Sequence, residues 1–222
     1  TTLKLLHKAG VKELVMVGGI KKPGLKDLRP DLRTAKFLAA TGAASLGDDG
    51  LLTALIKALE SEGFSVKGVD HFLPDIIAPA GVYGIVVPGK KALVNINVAR
   101  QAAISIGIED KGQGAIACQA KILSVEGDDG TDAMIRRLPN LRNSKKGGVL
   151  VKVCKPGQET RVDLPTIGVS TIEVAAKAGL EGVAVQAGKA LIVDMDAVVS
   201  SADQHGLFVV GIEVETPLIY VI

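Results

Sequence analysis

The densest run of chemically able side chains is Lys155-Pro156-Gly157-Gln158-Glu159-Thr160-Arg161-Val162-Asp163. Its nine residues carry two cations, an amide, a hydroxyl and two carboxylates. Pro156 and Pro165 pin it, and functional groups tend to sit on loops held by rigid elements. The plain alternative is a solvated connection. A second cluster is Glu126-Gly127-Asp128-Asp129-Gly130-Thr131-Asp132-Ala133-Met134-Ile135-Arg136-Arg137. A strand ends there in acidic residues, a Gly turn follows, and Thr131 is the expected N-cap of a helix. Capping and the helix dipole account for part of this acidity. Asp128, Asp129 and Asp132 exceed what capping needs. They suit Mg²⁺, which takes a few carboxylate oxygens plus water and phosphate, and a helix N-terminus also receives phosphate.

Elements must hold these two clusters in place. Val149, Leu150, Val151 and Val153 predict a buried strand leading into the first cluster. Leu164-Pro165-Thr166-Ile167-Gly168 closes it with a second turn. Ser170 is placed to cap a helix over 171–178 that stops at Gly179. Hairpins are expected over 114–126 and over 182–194, the second turning at Ala187-Gly188. Helices are expected over 94–106 and from a cap at Asp196 to His205, with a last strand over 207–212. A helix followed by a hairpin thus recurs, which hints at loose internal repetition.

The first third reads differently. Residues 3–8 form the end of a helix with a Gly10 stop, and 13–19 a short strand entering a Gly turn. The front of a domain is expected to be missing. Leu25, Leu28, Leu32, Ala35 and Leu38 lie near helical spacing, interrupted at Pro30. Asp48 or Asp49 can cap a helix over 51–62, and 63–70 returns as a strand. The second of these aspartates is a candidate for a cation or a ribose hydroxyl. Residues 1–71 therefore read as part of a Rossmann-like domain. A linker with Pro74, Pro79 and Gly81 spans 72–81, and a mixed α/β domain spans 82–222. The fold class is α/β.

Composition sets outer limits. The 222 residues are 47% hydrophobic but only 3% aromatic, with 26 glycines, so the core must be aliphatic. A net charge of +2, without basic runs interleaved with aromatics, argues against nucleic acid. Cys118 and Cys154 read as buried thiols in a reducing compartment. His7, His71 and His205 are scattered without metal-ligand spacing. No run reaches the length of a membrane span. No nucleophile elbow, zinc-peptidase helix, phosphate-binding P-loop or dinucleotide fingerprint is present.

Three phrases together are specific. They are Leu73-Pro74-Asp75 to Ala78-Pro79-Ala80-Gly81, then Gly130-Thr131-Asp132-Ala133-Met134 to Arg136-Arg137, then Lys152 to Lys155-Pro156-Gly157-Gln158 with Arg161-Val162-Asp163-Leu164-Pro165 to Ile167-Gly168. With Ala178-Gly179-Leu180 to Gly182 and Gly206-Leu207-Phe208, they closely resemble the LpxI family of UDP-2,3-diacylglucosamine pyrophosphatases. The resemblance covers nearly the whole chain. It implies hydrolysis of UDP-2,3-diacylglucosamine to lipid X and UMP in lipid A biosynthesis, with Mg²⁺ as cofactor. It also implies a two-domain homodimer in the cytoplasm, with peripheral contact at the inner membrane expected from the lipid substrate.

Carried over to this chain, Asp163 matches the family's essential aspartate. Thr131 and Asp132 lie in the matching Gly-Thr-Asp-Ala-Met segment, and Lys155, Gln158 and Arg161 in the loop leading to Asp163. Asp163 and Asp132 are the expected catalytic and metal-holding carboxylates. Lys155 and Arg161 are expected on phosphate oxygens, with Gln158, Thr131 and Thr166 as further substrate contacts. Asn95 stands where the family often has Asp, and Asp129 where it often has Glu. Rival readings are a non-catalytic nucleotide- or lipid-binding protein on the same fold and, more distantly, a Rossmann oxidoreductase.

Overall fold

The computed structural model describes residues 2–18, 48–138 and 147–214. The helical pattern over 24–43, the Lys21-Lys22 and Lys145-Lys146 pairs, the side chains of Asp48 and Asp49, and the tail after Pro217 lie outside the described residues. The chain divides into two compact units. One comprises 1–74 together with 158–163; the other comprises 75–157 and 164–222. The short segment 158–163 thus groups apart from the residues on either side of it.

In the first unit, helix α1 (Thr2–Lys8) stops at Gly10, whose φ is 71°. Strand β1 (Glu13–Val15) pairs in parallel with β2 (Ser65–Lys67), and helix α2 (Asp48–Ser61) precedes β2. Parallel neighbours need a crossover, so this is the β-α-β relation expected of the segment. Ala54 and Ile56 of α2 are buried with Phe64 and Val66. The His7 ring lies on Phe64, with centroids 4.6 Å apart.

The second unit is built on a mixed six-stranded sheet. Its strands are β3 (Gly81–Tyr83), β4 (Gly114–Cys118), β5 (Lys121–Val125), β6 (Val149–Lys152), β8 (Gly182–Gln186) and β10 (Phe208–Ile212). The order is β3-β10-β8-β6-β4-β5. Strands β6, β8 and β10 run parallel to one another, while β3, β4 and β5 are each antiparallel to a neighbour. Every residue of β6, β8 and β10 is buried. Parallel strands with both faces covered read as such continuous apolar runs. Helix α3 (Lys90–Ile108) covers one face with Ala92, Ile96, Ala99 and Ala103 against Ala115, Val149, Val151 and Phe208. On the other face lie α4 (Gly130–Arg136), α5 (Val169–Ala178) and α6 (Met195–His205), packed on Ile116, Leu150, Val183 and Val209. Small alanines on α3 bring the helix close to the sheet, which suits a chain almost without aromatics.

Several expectations are corrected. Helix α3 begins at Lys90 instead of 94, because Ala92 and Ile96 already belong to its buried stripe. Residues 182–194 are no hairpin. Strand β8 is hydrogen-bonded on both sides, by β6 and β10, and its successor β9 (Leu191–Ile192) pairs instead with β7 (Thr166–Ile167) in a separate two-stranded ribbon. The apparent repeat of helix and hairpin fails with it. Helix α5 starts after Gly168, with Ser170 already inside it. Helix α6 is capped by Asp194, whose Oδ1 accepts from the Ala197 amide at 3.1 Å, and Asp196 lies in the first turn. Cys118 and Cys154 are only partly buried.

A close backbone approach fastens β10 to the start of the unit. The Tyr83 hydroxyl donates to the Pro79 carbonyl, and burial pushes its pKa up to about 12. Gly211 faces both groups, and a Cβ there would overlap the Pro79 oxygen and the Tyr83 hydroxyl. Gly211→Ala is expected to destabilise the protein by about 3 kcal/mol, the cost of overpacking a filled site. Urea unfolding of the variant against the parent measures this.

Candidate functional site

Ligands of open α/β sheets bind at the carboxyl ends of the parallel strands. In the second unit that end collects a buried polar network. Glu126 follows β5, Lys152 ends β6, and Gln186 ends β8. The β4–β6 register sets Gly114 opposite Lys152, and the β4–β5 register sets Ala115 opposite Val125, so Gln113, Glu126 and Lys152 meet at one edge. Side-chain exposure is 8% for Lys152 and 7% for Glu126, with their charges 3.9 Å apart. The Lys152 ammonium also donates to the Thr166 carbonyl at 3.3 Å. Glu126 accepts from the Gln113 amide at 3.0 Å and from the Thr131 hydroxyl. Gln186 accepts from the Cys154 amide at 2.9 Å and so steadies the chain leaving β6.

This network changes the reading of Thr131. The N-cap of α4 is Asp129, and Thr131 sits one position inside the first turn with its hydroxyl committed to Glu126. Two of the three aspartates are drawn off as well. Asp129 pairs with Arg137, and Asp132 with Arg136 at 3.4 Å across one helical turn. Among the described residues no three His, Cys, Asp or Glu side chains assemble into a metal-holding group. Lys155 lies at the carboxyl end of β6 as expected, but its ammonium is 2.8 Å from Asp110, just beyond α3. The Thr166 hydroxyl closes its own turn on the Leu164 carbonyl at 2.9 Å.

The first unit holds the remaining candidates. Gln158 is buried and donates its amide to the Asp163 carboxylate. The Glu159 carbonyl accepts from the amides of Val162 and Asp163, each at 3.2 Å, which turns the segment back on itself. Arg161 grips both oxygens of Glu159, from Nε at 2.8 Å and Nη2 at 2.7 Å. Its Nη1 reaches Glu60 of α2 at 2.6 Å and the Val66 carbonyl of β2 at 3.5 Å. These hydrogen bonds hold the Glu159 carboxyl below its ordinary pKa. Its contribution to stability is therefore complete above the ordinary value and is lost as pH falls through the lowered one.

The structure thus brings Gln158, Arg161 and Asp163 together in one unit, and Thr131, Asp132, Lys155 and Thr166 in the other. Glu60 gave no functional signal in the sequence, and Glu126 and Lys152 were read only within longer phrases. Lys152 could have been singled out, because a lysine inside a β-branched run must find a partner when buried. Glu60 had no such mark.

A mixed α/β sheet with a polar loop leaving strand β6, together with a smaller parallel β-α-β unit, places the molecule among two-unit α/β proteins. The family is more definite. The LpxI N-terminal domain matches residues 1–76, and the LpxI C-terminal domain matches residues 79–210. The chain is 42% identical over 217 residues to the UDP-2,3-diacylglucosamine pyrophosphatase LpxI of Caulobacter vibrioides, an alignment covering 95% of this chain and 78% of that protein. The chain belongs to the LpxI family.

Removing one member of a buried ion pair strands its partner. Glu126→Ala is expected to cost about 3 kcal/mol in stability, and Glu126→Gln less, since the amide still accepts a hydrogen bond. Chemical denaturation of the two variants checks the ranking; equal and small losses would mean the pair contributes little.

Proposed function

We propose that this chain hydrolyses the pyrophosphate of UDP-2,3-diacylglucosamine, releasing UMP and 2,3-diacylglucosamine 1-phosphate for lipid A biosynthesis. The observation that carries this is the 42% identity to the Caulobacter vibrioides enzyme across 95% of the chain. The loop from Lys155 to Asp163 is consistent with it. In the reaction, water forms a new P–O bond at one phosphorus, and the bridging oxygen leaves with the other phosphate. The lost proton passes to a base.

Asp163 is assigned to orient that water or to hold a cation, and the Gln158 amide fixes the direction of its carboxylate. Lys155 supplies a mobile point charge for a phosphate oxygen, exchanging Asp110 for substrate. Mg²⁺ suits a donor set of this kind, because it is commonly held by one or two carboxylates together with substrate phosphates and water. Asp163 is the first such carboxylate. Asp132, the other carboxylate assigned to a cation, belongs to the second unit and would have to be released by Arg136. When bound, the cation neutralises phosphate charge and polarises the anhydride. Among the described residues no helix is long and apolar enough to cross a membrane. In this reading the chain works as a homodimer in the cytoplasm and meets its lipid at the surface of the inner membrane.

The test is UMP release from UDP-2,3-diacylglucosamine with Mg²⁺ and with EDTA, for the parent and for Asp163→Ala. Mg²⁺-dependent release is expected in the parent. Loss of the carboxylate should lower it by at least about a hundredfold, with an unchanged melting temperature. Substrate that protects the parent against heat without releasing UMP would point to a binding protein instead.

A further inference from the structure

We propose that Arg161 is a positioning residue for Asp163: it fastens the turn that carries this carboxylate to α2 and β2 of the first unit, through Glu60, Glu159 and the Val66 carbonyl. The inference rests on the reading of Asp163 as the carboxylate of the reaction. It assigns roles to Arg161 and Glu60 that the phosphate-holding expectation does not.

The geometry is a chain of short links. Glu60 sits on the last turn of α2, 101 residues before Arg161, and their charges meet at 2.6 Å. Arg161 takes Glu159 with two parallel bonds, the fork-on-fork arrangement that adds direction as well as strength. The Arg161 amide adds a third bond to the same carboxylate, at 3.3 Å. Glu159 in turn accepts the Asp163 amide on its own carbonyl. A guanidinium has five N–H donors, and the acceptors on Glu159, Glu60 and Val66 engage Nε and both terminal nitrogens. These four bonds leave one Nη2 N–H, so a forked grip on phosphate would have to displace a carboxylate already in place.

The need for such a fastening follows from the chain path. The residues before 158 and after 163 group with the second unit, so their covalent neighbours do not fix this six-residue turn within the first. A single exposed ion pair would be too weak for that. Two carboxylates on one planar cation, one of them gripped twice, make a network. A displacement of about 1 Å at a reacting group costs on the order of a hundredfold in rate.

The experiment compares the full chain with Glu60→Ala, Arg161→Ala, Arg161→Lys and the Glu60→Ala/Arg161→Ala double variant. Two readouts are taken: kcat and KM for UMP release, and hydrogen exchange of the Val162 and Asp163 amides. Alanine is a strong helix former, so Glu60→Ala keeps α2 and serves even where Arg161→Ala folds poorly. Glu60→Ala is expected to lower kcat about tenfold, and Arg161→Ala about a hundredfold, both with KM nearly unchanged. The double variant should be no slower than Arg161→Ala alone, because both act through one link. Arg161→Lys should recover only part of the rate, lacking the fork. Both amides should exchange faster in every variant.

A raised KM in Arg161→Ala, with kcat and exchange untouched in Glu60→Ala, would overturn the proposal and make Arg161 a substrate ligand. If the parent releases no UMP, the pyrophosphatase reading fails. The exchange data then still decide whether Glu60 and Arg161 fasten the turn.

Discussion

Strand β6 is the constraint on which the second unit depends. It is hydrogen-bonded to β8 on one side and β4 on the other, and helices cover both its faces. Each of its residues, Lys152 included, is therefore out of water. An unpaired ammonium cannot stay there. Glu126 must come to it, and Glu126 is delivered by β5 only because β4 and β5 return the chain to the same end of the sheet. The start of α4 is then tied to that carboxylate through the Thr131 hydroxyl, and the start of β7 is tied to the Lys152 ammonium through the Thr166 carbonyl. One buried charge organises the end of the sheet where a ligand would be met.

The loop that leaves this strand serves two units. Up to Gly157 it groups with the second, and Gln158–Asp163 groups with the first. Its motif residues are contiguous in sequence but divided in structure, so Lys155 and Asp163 owe their positions to different supports. Asp110 steadies Lys155, and the hydrogen bonds of Gln158, Glu159 and Arg161 steady the turn around Asp163. A short motif can thus carry chemistry whose geometry is set more than a hundred residues away.

Much of this was legible because local signals agreed with tertiary need. The hairpin of β4 and β5 was marked by two short apolar runs on either side of Gln119-Ala120, and its turn takes positive φ at both residues. The stop of α5 was marked by Gly179, which adopts φ 82°. The β8–β9 hairpin was misread because Ala187-Gly188 is a fair turn between two apolar runs. Nothing local says that both edges of β8 are already taken by β6 and β10. The cap of α6 was misplaced by two residues because Asp194 and Asp196 are equally able acceptors by type. Only Asp194, at φ 60°, turns its oxygen to the Ala197 amide.

The acidic segment before α4 shows the same limit at a site. Three aspartates in five residues resemble a cation cage when counted as acceptors alone. Their neighbours in the same phrase, Arg136 and Arg137, were counted only as part of a motif. On a helix, Asp132 and Arg136 are one turn apart and face each other, and that spacing was readable. The Asp129–Arg137 pair was not, since it depends on where the helix begins. Charge composition alone therefore says nothing of which of these carboxylates is already engaged. What sequence could not supply was the competition for each carboxylate, which is decided by the helix register for Asp132 and Asp129 and by the burial of Lys152 for Glu126.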